Sequence, residues 1–447
     1  MNTIASDKTL KKDLLWNTLG SLTYAAAAAV LAFLVMRMAG AEDGGIFGFG
    51  YSTFGQQMFI LAYFGIRPFN ITDVAGEYRF GEYRKARIFT TLLSVAVALL
   101  YLGLMAAFGR YTLRKALIVL LVALIKIADG YADVYECECQ RCGVLWRGGR
   151  ELCIRTILVC GVFLGILALA GDLLAAAAAA TLTQVLVIWI FKGNLKKAGI
   201  METVPAGKPE AGPETDLKAE PEPETAAASG KKTAPAGTWK ALLGSTLLLF
   251  VSVFLDFYVF SGAKYAIDLK LDDTASGIFN ILFMPTSVIY MLANFVIKPF
   301  MTRMAKSFSE GDTAGFRKTK RSIAGIILGM TALACILTVF LGKWVLGIFE
   351  WLLGGEYDGQ LTGYSGEFFL IILGGGLYAL ANLYYYILVI RRQQKAIFFV
   401  YLAAALITLA AAPLLVQTFG ITGAAIVYAA MMSVLVCGMK ICDTVKS

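Results

Sequence analysis

The chain contains GIFGFGYSTFGQQMFILAYFGIRPF, residues 45–69, and repeats its pattern in GIFNILFMPTSVIYMLANFVIKPF, residues 277–300. Each stretch begins with Gly-Ile-Phe and ends with a cation followed by Pro-Phe, and the residues between these ends number 19 and 18. Each is apolar over a length that crosses a hydrocarbon core of about 30 Å as a helix. The shared order and spacing therefore predict two copies of one helical unit.

Apolar runs of about 20 residues, the length of a membrane-spanning helix, recur along the whole chain. The 447 residues are 58% hydrophobic, and their mean hydropathy is +0.70. No strand-like alternation suggests a barrel, so the predicted fold class is an all-α polytopic membrane protein with about 12 transmembrane helices. The predicted spans are 14–38, 45–66, 88–108, 115–136, 152–170, 173–191, 240–261, 276–297, 322–341, 367–390, 396–416 and 420–440.

A segment rich in Pro, Ala, Glu and Gly, residues 199–237, separates six predicted spans from the other six. Its composition predicts a disordered cytoplasmic linker between an N-terminal six-helix lobe, 1–198, and a C-terminal six-helix lobe, 238–447. Because each lobe has an even number of spans, both insert with the same orientation. This predicts pseudo-twofold symmetry along the membrane normal with a site between the lobes, which is typical of alternating-access transporters.

Lysine and arginine are divided unequally between the two sides of the predicted membrane. Of 40 such residues, 32 fall on the side that holds the N-terminus, six fall in the opposite loops, and Arg37 and Lys126 lie within spans. The positive-inside rule therefore predicts a multi-pass protein of the cytoplasmic (inner) cell membrane with both termini in the cytoplasm. The net charge of +9 follows from this topology, so we expect no nucleic-acid partner.

The chain has eight cysteines and no histidine. No cysteine lies in a segment predicted to be outside the cell, so we expect no disulfide framework. Cys137, Cys139 and Cys142 are clustered, either as small buried side chains or as part of a metal site. We expect no resident metal and no cofactor. The absence of histidine excludes His-based acid–base catalysis, and we expect that the chain is not an enzyme.

Four stretches carry a resemblance to a known family: WNTLGSLTYAAAAAVLAFLVMRMAGAEDGGIFGFGYS (16–52), DVYECECQRCG (133–143), AKYAIDLKLDDTASGIFNILFMP (263–285) and YYYILVIRRQQK (384–395). Together with the two predicted halves, they resemble the polysaccharide biosynthesis, or lipid-linked oligosaccharide flippase, branch of the multidrug/oligosaccharidyl-lipid/polysaccharide (MOP) exporter superfamily. The resemblance implies turnover of a polyprenyl-pyrophosphate-linked oligosaccharide from the cytoplasmic to the outer leaflet for cell-surface polysaccharide assembly. It also implies a V-shaped cavity between the lobes, where cationic groups meet the phosphates.

Charged residues within predicted spans are candidate site residues, because each costs roughly 2.5–3.5 kcal/mol at a helix centre. The segment KIADGYADVYECECQ, 126–140, places polar residues at steps of 3 and 4, on one helical face. Two interpretations are open. Lys126 and Asp129 either line the cavity and contact the substrate, or they form a neutral pair that joins the span to its neighbours. Glu136 and Gln140 are predicted to be a solvated helix end.

Further candidates lie on other predicted helices. Asp256 either faces the cavity or bonds a tyrosine hydroxyl. Arg37 and Lys264, at the outer ends of the first helix of each lobe, either meet the pyrophosphate or anchor the helix at the membrane surface. Uncharged polar residues that bind sugar or bond between helices are Asn17, Gln56, Gln57, Asn280 and Asn294.

Two motif residues, Arg67 and Lys298, end the second helix of each lobe on the predicted cytoplasmic side. They either capture the anionic headgroup of the substrate or act as positive-inside anchors. Coupling to Na⁺ or H⁺ is assigned to acids within the spans: Asp129, Asp133 and Asp256.

Three functions are compatible with the sequence to different degrees. The first is a lipid-linked oligosaccharide flippase, whose partners would be the lipid-linked glycan, membrane lipids, a polysaccharide polymerase and glycosyltransferases. The alternative is a cation-coupled multidrug (MATE-type) antiporter on the same fold, which needs an acidic lumen. An integral-membrane glycosyltransferase is disfavoured because the largest predicted outer loop, 342–366, is short.

Overall fold

The structure is a computed structural model that describes residues 7–73, 77–201 and 237–445. Over these ranges the chain is helical and contains no β-strand. The helices are α1 (Asp7–Gly48), α2 (Gly55–Tyr63), α3 (Ile66–Thr72), α4 (Phe80–Ala107), α5 (Leu113–Arg141), α6 (Leu145–Ala170), α7 (Leu173–Lys197), α8 (Trp239–Lys270), α9 (Asp273–Ser309), α10 (Thr313–Leu353), α11 (Ser365–Ile390) and α12 (Gln394–Val445). The linker predicted at 199–237 lies almost entirely outside the described residues.

Eight helical segments of the described chain are long and apolar enough to cross a membrane. Some of them join predicted spans, because Lys11–Ile71 contains the first two and Gln394–Thr444 contains the last two. The prediction of an all-helical, multi-pass membrane protein is thus confirmed over the described ranges. The count of 12 spans and the division into two lobes stay predictions.

Glycines break the long helices at defined points. Gly40 within α1 has φ 81°, and Gly420 within α12 has φ 59°, both in the left-handed region that favours glycine. The first repeat segment is also interrupted, because a π-helical turn at Phe49–Phe54 precedes α2. Phe64 and Gly65 then adopt φ 51° and 66°, which ends α2 and redirects the chain into α3. The second predicted span is therefore a bent element.

Two helices begin earlier than hydropathy predicts. Spans were expected to start at residues 88 and 152, whereas α4 starts at Phe80 and α6 at Leu145. Arg87, predicted to lie in a loop, therefore lies within α4, and Arg155, counted with the cytoplasmic residues at the start of its predicted span, lies well inside α6; they are only 0% and 2% exposed. Apolar content marks the part of a helix that faces hydrocarbon, and it does not mark extensions that pack on other helices.

Buried apolar residues form a large cluster in each half of the chain. The cluster of the N-terminal half includes Phe47 and Val119, and that of the C-terminal half includes Phe283 and Leu383. Met36 of α1 belongs to the second cluster. Helix α1 therefore packs on both halves.

Contacts between the halves lie at both ends of the helices. Towards the predicted outer side, Gly45 of α1 packs against Gly277 of α9, and Ala41 N donates a hydrogen bond to Glu356 Oε2 at 2.8 Å. Towards the predicted cytoplasmic side, the rings of Phe64 and Phe250 stack with their centroids 4.0 Å apart. Helix α8 of the C-terminal half also contacts α2, α3 and α4.

Candidate functional site: a buried charge network

The charged stripe predicted on one helix lies on α5. Lys126, Asp129 and Asp133 are all buried, as expected for residues spaced by three and four positions on one helical face. Thr112 begins the helix, since its side chain accepts a hydrogen bond from Lys115 N, an N-cap that satisfies one of the free N–H groups. The stripe faces α1, α4, α6 and α7.

Lys126 and Asp129 are connected through a tyrosine. Lys126 Nζ donates to Tyr24 Oη at 3.0 Å, and Tyr24 Oη donates to Asp129 Oδ2 at 3.1 Å. The ammonium also lies 3.9 Å from the ring centroid of Tyr51, a cation–π contact. Gln184 Nε2 donates to Asp129 Oδ1 at 2.7 Å. Lys126 is 3% exposed, so its charge is stabilised by a hydroxyl and an aromatic face rather than by water.

Arg155 of α6 binds three carboxylates of this site. Its Nη1 donates to Glu151 Oε1 at 3.0 Å, and its Nη2 donates to Glu136 Oε1 at 3.0 Å and lies 3.4 Å from Asp129 Oδ1. The solvated helix end predicted for Glu136 is therefore wrong, although Gln140 is exposed. The guanidinium joins α6 to the second half of α5.

Asp133 is held by two arginines. Arg67 Nη1 donates to Asp133 Oδ1 at 2.5 Å, and Arg87 Nη2 donates to Asp133 Oδ2 at 2.8 Å. Arg87 also donates to the carbonyl oxygens of Ala62 and Tyr63, at 2.9 and 2.6 Å, where α2 ends. The same side chain therefore neutralises an acid of α5 and satisfies free carbonyls at a helix terminus.

The charges of this network balance. Its four cations are matched by four carboxylates, and most of these groups are buried: Lys126, Arg67, Arg87 and Arg155 with Asp129, Asp133, Glu136 and Glu151. Buried ions require such pairing, because the cost of desolvation is otherwise uncompensated. The network has the components of the structural interpretation, with a tyrosine bridge in place of a direct Lys126–Asp129 pair. The roles of these residues in transport stay predictions.

Two candidate residues lie on α8. Asp256 accepts a hydrogen bond from Tyr378 Oη at 3.0 Å, which agrees with the tyrosine interpretation. Lys264 is 8% exposed, and its Nζ lies 4.2 Å from the ring centroid of Phe283. No ion pair joins Lys264 to an acid of the described residues. Arg37, by contrast, is exposed on α1.

The remaining candidates are dispersed. Asn17 is exposed, Gln56 is half-buried, and Gln57 Nε2 donates to the Phe254 carbonyl oxygen at 3.0 Å across the halves. Asn280 is buried. The side chains of Asn294 and Lys298 lie outside the described part of the structure, so their predicted roles stay predictions.

Five residues of the network were not predicted: Tyr24, Arg87, Glu151, Arg155 and Gln184. Arg87 and Arg155 had a usable signal, because each lies just before an apolar run and within reach of a helix extension. Tyr24 lies in an alanine-rich helix and gives no such signal.

A second cluster of charges joins the halves towards the predicted outer side. Lys115 Nζ lies 2.8 Å from Asp268 Oδ1 of α8 and 2.6 Å from Asp273 Oδ1 of α9. Tyr111 also donates to Asp268. Arg114 pairs with Asp43 in two contacts of 2.6 and 2.8 Å, within the N-terminal half. The Lys115 pairs are buried or half-buried and join the two halves, whereas Arg114 is exposed.

None of the eight cysteines forms a disulfide. Among the residues that the structure describes, no group of three or more His, Cys, Asp or Glu side chains is arranged to hold a metal ion. Cys137 is buried on α5, with its Sγ 3.6 Å from Asp133 Oδ2. The cysteine cluster thus includes a thiol that packs beside the charge network.

No family model and no curated protein matches the sequence. Solved structures do match the fold. An inward-facing multidrug resistance MATE family transporter of the MOP superfamily superposes with a TM-score of 0.58 and 11% identity, over 95% of this chain and 94% of that one. A eukaryotic MATE transporter gives 0.58 and 10% identity over 99% and 97%. A mutant of the Vibrio cholerae MATE transporter VcmN gives 0.54 and 11% identity over 98% of each chain.

These comparisons establish the fold class of the chain. The chain has the all-helical fold of MATE transporters, and the similarity extends over nearly its full length. At 10–11% identity the likeness concerns the fold alone.

Proposed function

We propose that the chain is a transporter that moves a polyprenyl-pyrophosphate-linked oligosaccharide from the cytoplasmic to the outer leaflet by alternating access. The MATE-like fold supports a membrane transporter of the MOP type. In this proposal the 12 predicted helices form two six-helix lobes, both termini are cytoplasmic, and the substrate passes between the lobes. Glycosyltransferases supply the lipid-linked glycan, and a polymerase consumes it at the outer surface.

The observation that carries the proposal is the environment of Lys264. Its ammonium is buried against Phe283, and no acid among the described residues pairs with it. A buried cation without an anion is costly. An anionic substrate group would supply the missing partner when the lobes open. The polyprenyl pyrophosphate is such a group, and charge-assisted hydrogen bonds to phosphate oxygens are strong.

The charge network of the N-terminal half supports the same substrate class. Its four carboxylates are balanced by Lys126 and three arginines. Such a neutral network has no net negative charge to attract a cationic drug. An anion is therefore the better match to the buried charges of the two halves taken together.

A cation-coupled MATE-type antiporter is the second candidate, and Asp256 is the observation that favours it. This half-buried carboxylate accepts a hydrogen bond from Tyr378 and forms no ion pair with a described lysine or arginine. Asp129 and Asp133 are held by arginines. Asp256 is therefore the best of the three proposed coupling residues for binding the Na⁺ or H⁺ that would drive such an antiporter.

Depletion of the protein in its native host tests the proposal. We expect lipid-linked oligosaccharide to accumulate facing the cytoplasm, and we expect Lys264→Ala to fail in complementation where Lys264→Arg succeeds. Lys270→Ala is the matched control, because Lys270 is exposed on the same helix. Unchanged delivery to the outer leaflet after depletion would reject the flippase. Cation-driven dye efflux from proteoliposomes, with normal glycan export, would favour the antiporter.

A further inference from the structure

A cavity of about 850 Å³ opens at the predicted cytoplasmic face of the C-terminal half. It lies between the end of α9, the start of α10 and the turn from α11 to α12, and it reaches Leu248 of α8. The charge network of the N-terminal half contributes no residue to its walls. The cavity therefore has a chemistry of its own.

Basic side chains dominate the polar wall of this cavity: Arg317, Lys320, Arg391, Arg392 and Lys395. Asp443 engages two of them, at 2.7 Å from Lys320 Nζ and 3.1 Å from Arg391 Nη1. Asp312, the acid in the wall, caps α10 by accepting from Gly315 N at 2.8 Å. The wall therefore has an excess of positive charge.

Three exposed cations of the wall carry that excess. Arg317, Arg392 and Lys395 form no ion pair with an acid in the part of the chain that the structure describes. Cations arranged around one concave space match a compact anion with several acceptor oxygens, and arginine binds phosphate oxygens with two parallel hydrogen bonds. The wall thus favours a phosphate group.

The backbone at Arg392 gives an independent indication. Helices α4, α5, α7, α9 and α11 end in the same double hydrogen-bonded turn, whose left-handed residue is Gly109, Gly143, Gly199, Gly311 and Arg392 in turn. Glycine adopts this conformation freely, whereas arginine at φ 55° is strained. The chain therefore places a cation at the cavity wall in a turn position where four of its other helices have glycine.

Apolar groups complete the cavity. Phe308 and Leu248 are partly exposed within it, and Phe316 lies beneath Arg391 with a cation–π distance of 5.6 Å. A free inorganic anion gains no stabilisation from contact with such apolar surfaces. A lipid presents a charged headgroup and apolar chains together, and basic pockets between helices on the cytoplasmic side bind anionic headgroups.

We propose that this cavity binds the phosphate headgroup of an anionic phospholipid of the surrounding bilayer. Arg317, Arg392 and Lys395 contact the phosphate, while Phe308 and Leu248 contact the start of the acyl chains. The site goes beyond the proposed transport function and does not depend on it, since its residues belong neither to the charge network nor to the surroundings of Lys264.

Native mass spectrometry of the purified full chain tests the site. The protein is equilibrated with an equimolar mixture of palmitoyl-oleoyl phosphatidylglycerol and phosphatidylcholine. We expect the wild-type protein to retain phosphatidylglycerol in preference to phosphatidylcholine. The triple variant Arg317→Gln, Arg392→Gly, Lys395→Gln should lower that retention by at least about tenfold, since each cation near the membrane surface contributes separately. Retention equal to wild type would overturn the proposal.

Two single variants and a competition experiment distinguish a specific lipid site from general surface charge and from a site for free phosphate. Lys318→Gln removes an exposed charge from the same helix outside the cavity wall and should leave retention unchanged; an equal loss in this variant would reject a specific site. Arg392→Gly alone should lower retention while its melting temperature stays equal or rises, because the strain is removed. Displacement of phosphatidylglycerol by an equal concentration of inorganic phosphate would assign the site to free phosphate and overturn the lipid proposal.

Discussion

Gly45 and Gly277, which begin the two repeated segments, lie in direct contact where α1 crosses α9. A Cβ atom on Gly45 would lie 1.8 Å from the carbonyl oxygen of Asp273, and one on Gly277 would lie 2.7 Å from that of Ala41. Asp273 precedes Gly277 by four residues, as Ala41 precedes Gly45. The contact is therefore reciprocal, as in an interface between two copies related by a twofold axis. The first residues of the two segments thus pack on each other at corresponding positions.

Gly45→Ala should reduce stability. We expect a loss of about 1–3 kcal/mol in the free energy of unfolding, because the added methyl group overlaps a carbonyl oxygen and the two helices must separate. Gly103→Ala is the control, since no atom lies within 4 Å of the added Cβ in α4, and it should be neutral or stabilising by up to about 1 kcal/mol. Thermal unfolding in detergent measures both. Equal stability of the two variants would contradict the close contact.

The glycine contact and the α5 stripe show how far the sequence predicts the structure. The repeat aligned Gly45 with Gly277 from spacing alone, and spacing also placed Lys126, Asp129 and Asp133 on one helical face. Both are local properties of the chain. That the two glycines touch is a tertiary contact, and the repeat spacing carries no information about it.

The partners of the stripe show the same limit. Tyr24, Arg87 and Arg155 reach α5 from three other helices, and helical periodicity does not specify which helix faces meet. Hydropathy also assigned Arg87 to a loop and placed the start of the helix that contains Arg155 too late, because charges lower the apolar score of a helix end even when ion pairs bury that end. In the sequence alone, a charged residue that forms a buried ion pair looks the same as a charged residue that faces solvent.

Tyr24→Phe should weaken the network at its bridge. The substitution removes the hydroxyl that accepts from Lys126 and donates to Asp129. We expect a loss of about 1–3 kcal/mol, the range for buried groups left without a hydrogen bond to a charged partner. Tyr258→Phe is a suitable control, since its ring packs near Tyr265 and its hydroxyl makes no hydrogen bond to the described residues. Chemical unfolding compares the variants, and unaltered stability of the Tyr24→Phe protein would show that the bridge does not stabilise the network.

Lys115→Met should have a much larger effect than Arg114→Met. Lys115 is buried between Asp268 and Asp273 of the other half, and its loss leaves two carboxylates facing each other. Breaking a buried pair by removing one partner costs about 3–5 kcal/mol. Arg114 is exposed and pairs with Asp43 at the surface, where such pairs contribute about 0–1 kcal/mol. The melting temperatures of the two variants test this order, and equal losses would show that the outer face is not held by the buried pair.

Asp256→Asn separates the two proposed functions. Asparagine keeps an oxygen that accepts from Tyr378 but removes the charge that would bind Na⁺ or H⁺. If the chain is a cation-coupled antiporter, dye efflux driven by an ion gradient in proteoliposomes should fall to background while the melting temperature is kept. If the buried cation Lys264 meets a pyrophosphate and Asp256 serves only to hold Tyr378, the variant should complement glycan export in the depleted host.

Lys264→Ala in the same assays should give the opposite pattern, because the anionic headgroup loses its partner while ion binding at Asp256 is untouched. A pair of variants that fails both assays at unchanged melting temperature would indicate that α8 carries substrate and ion along one path.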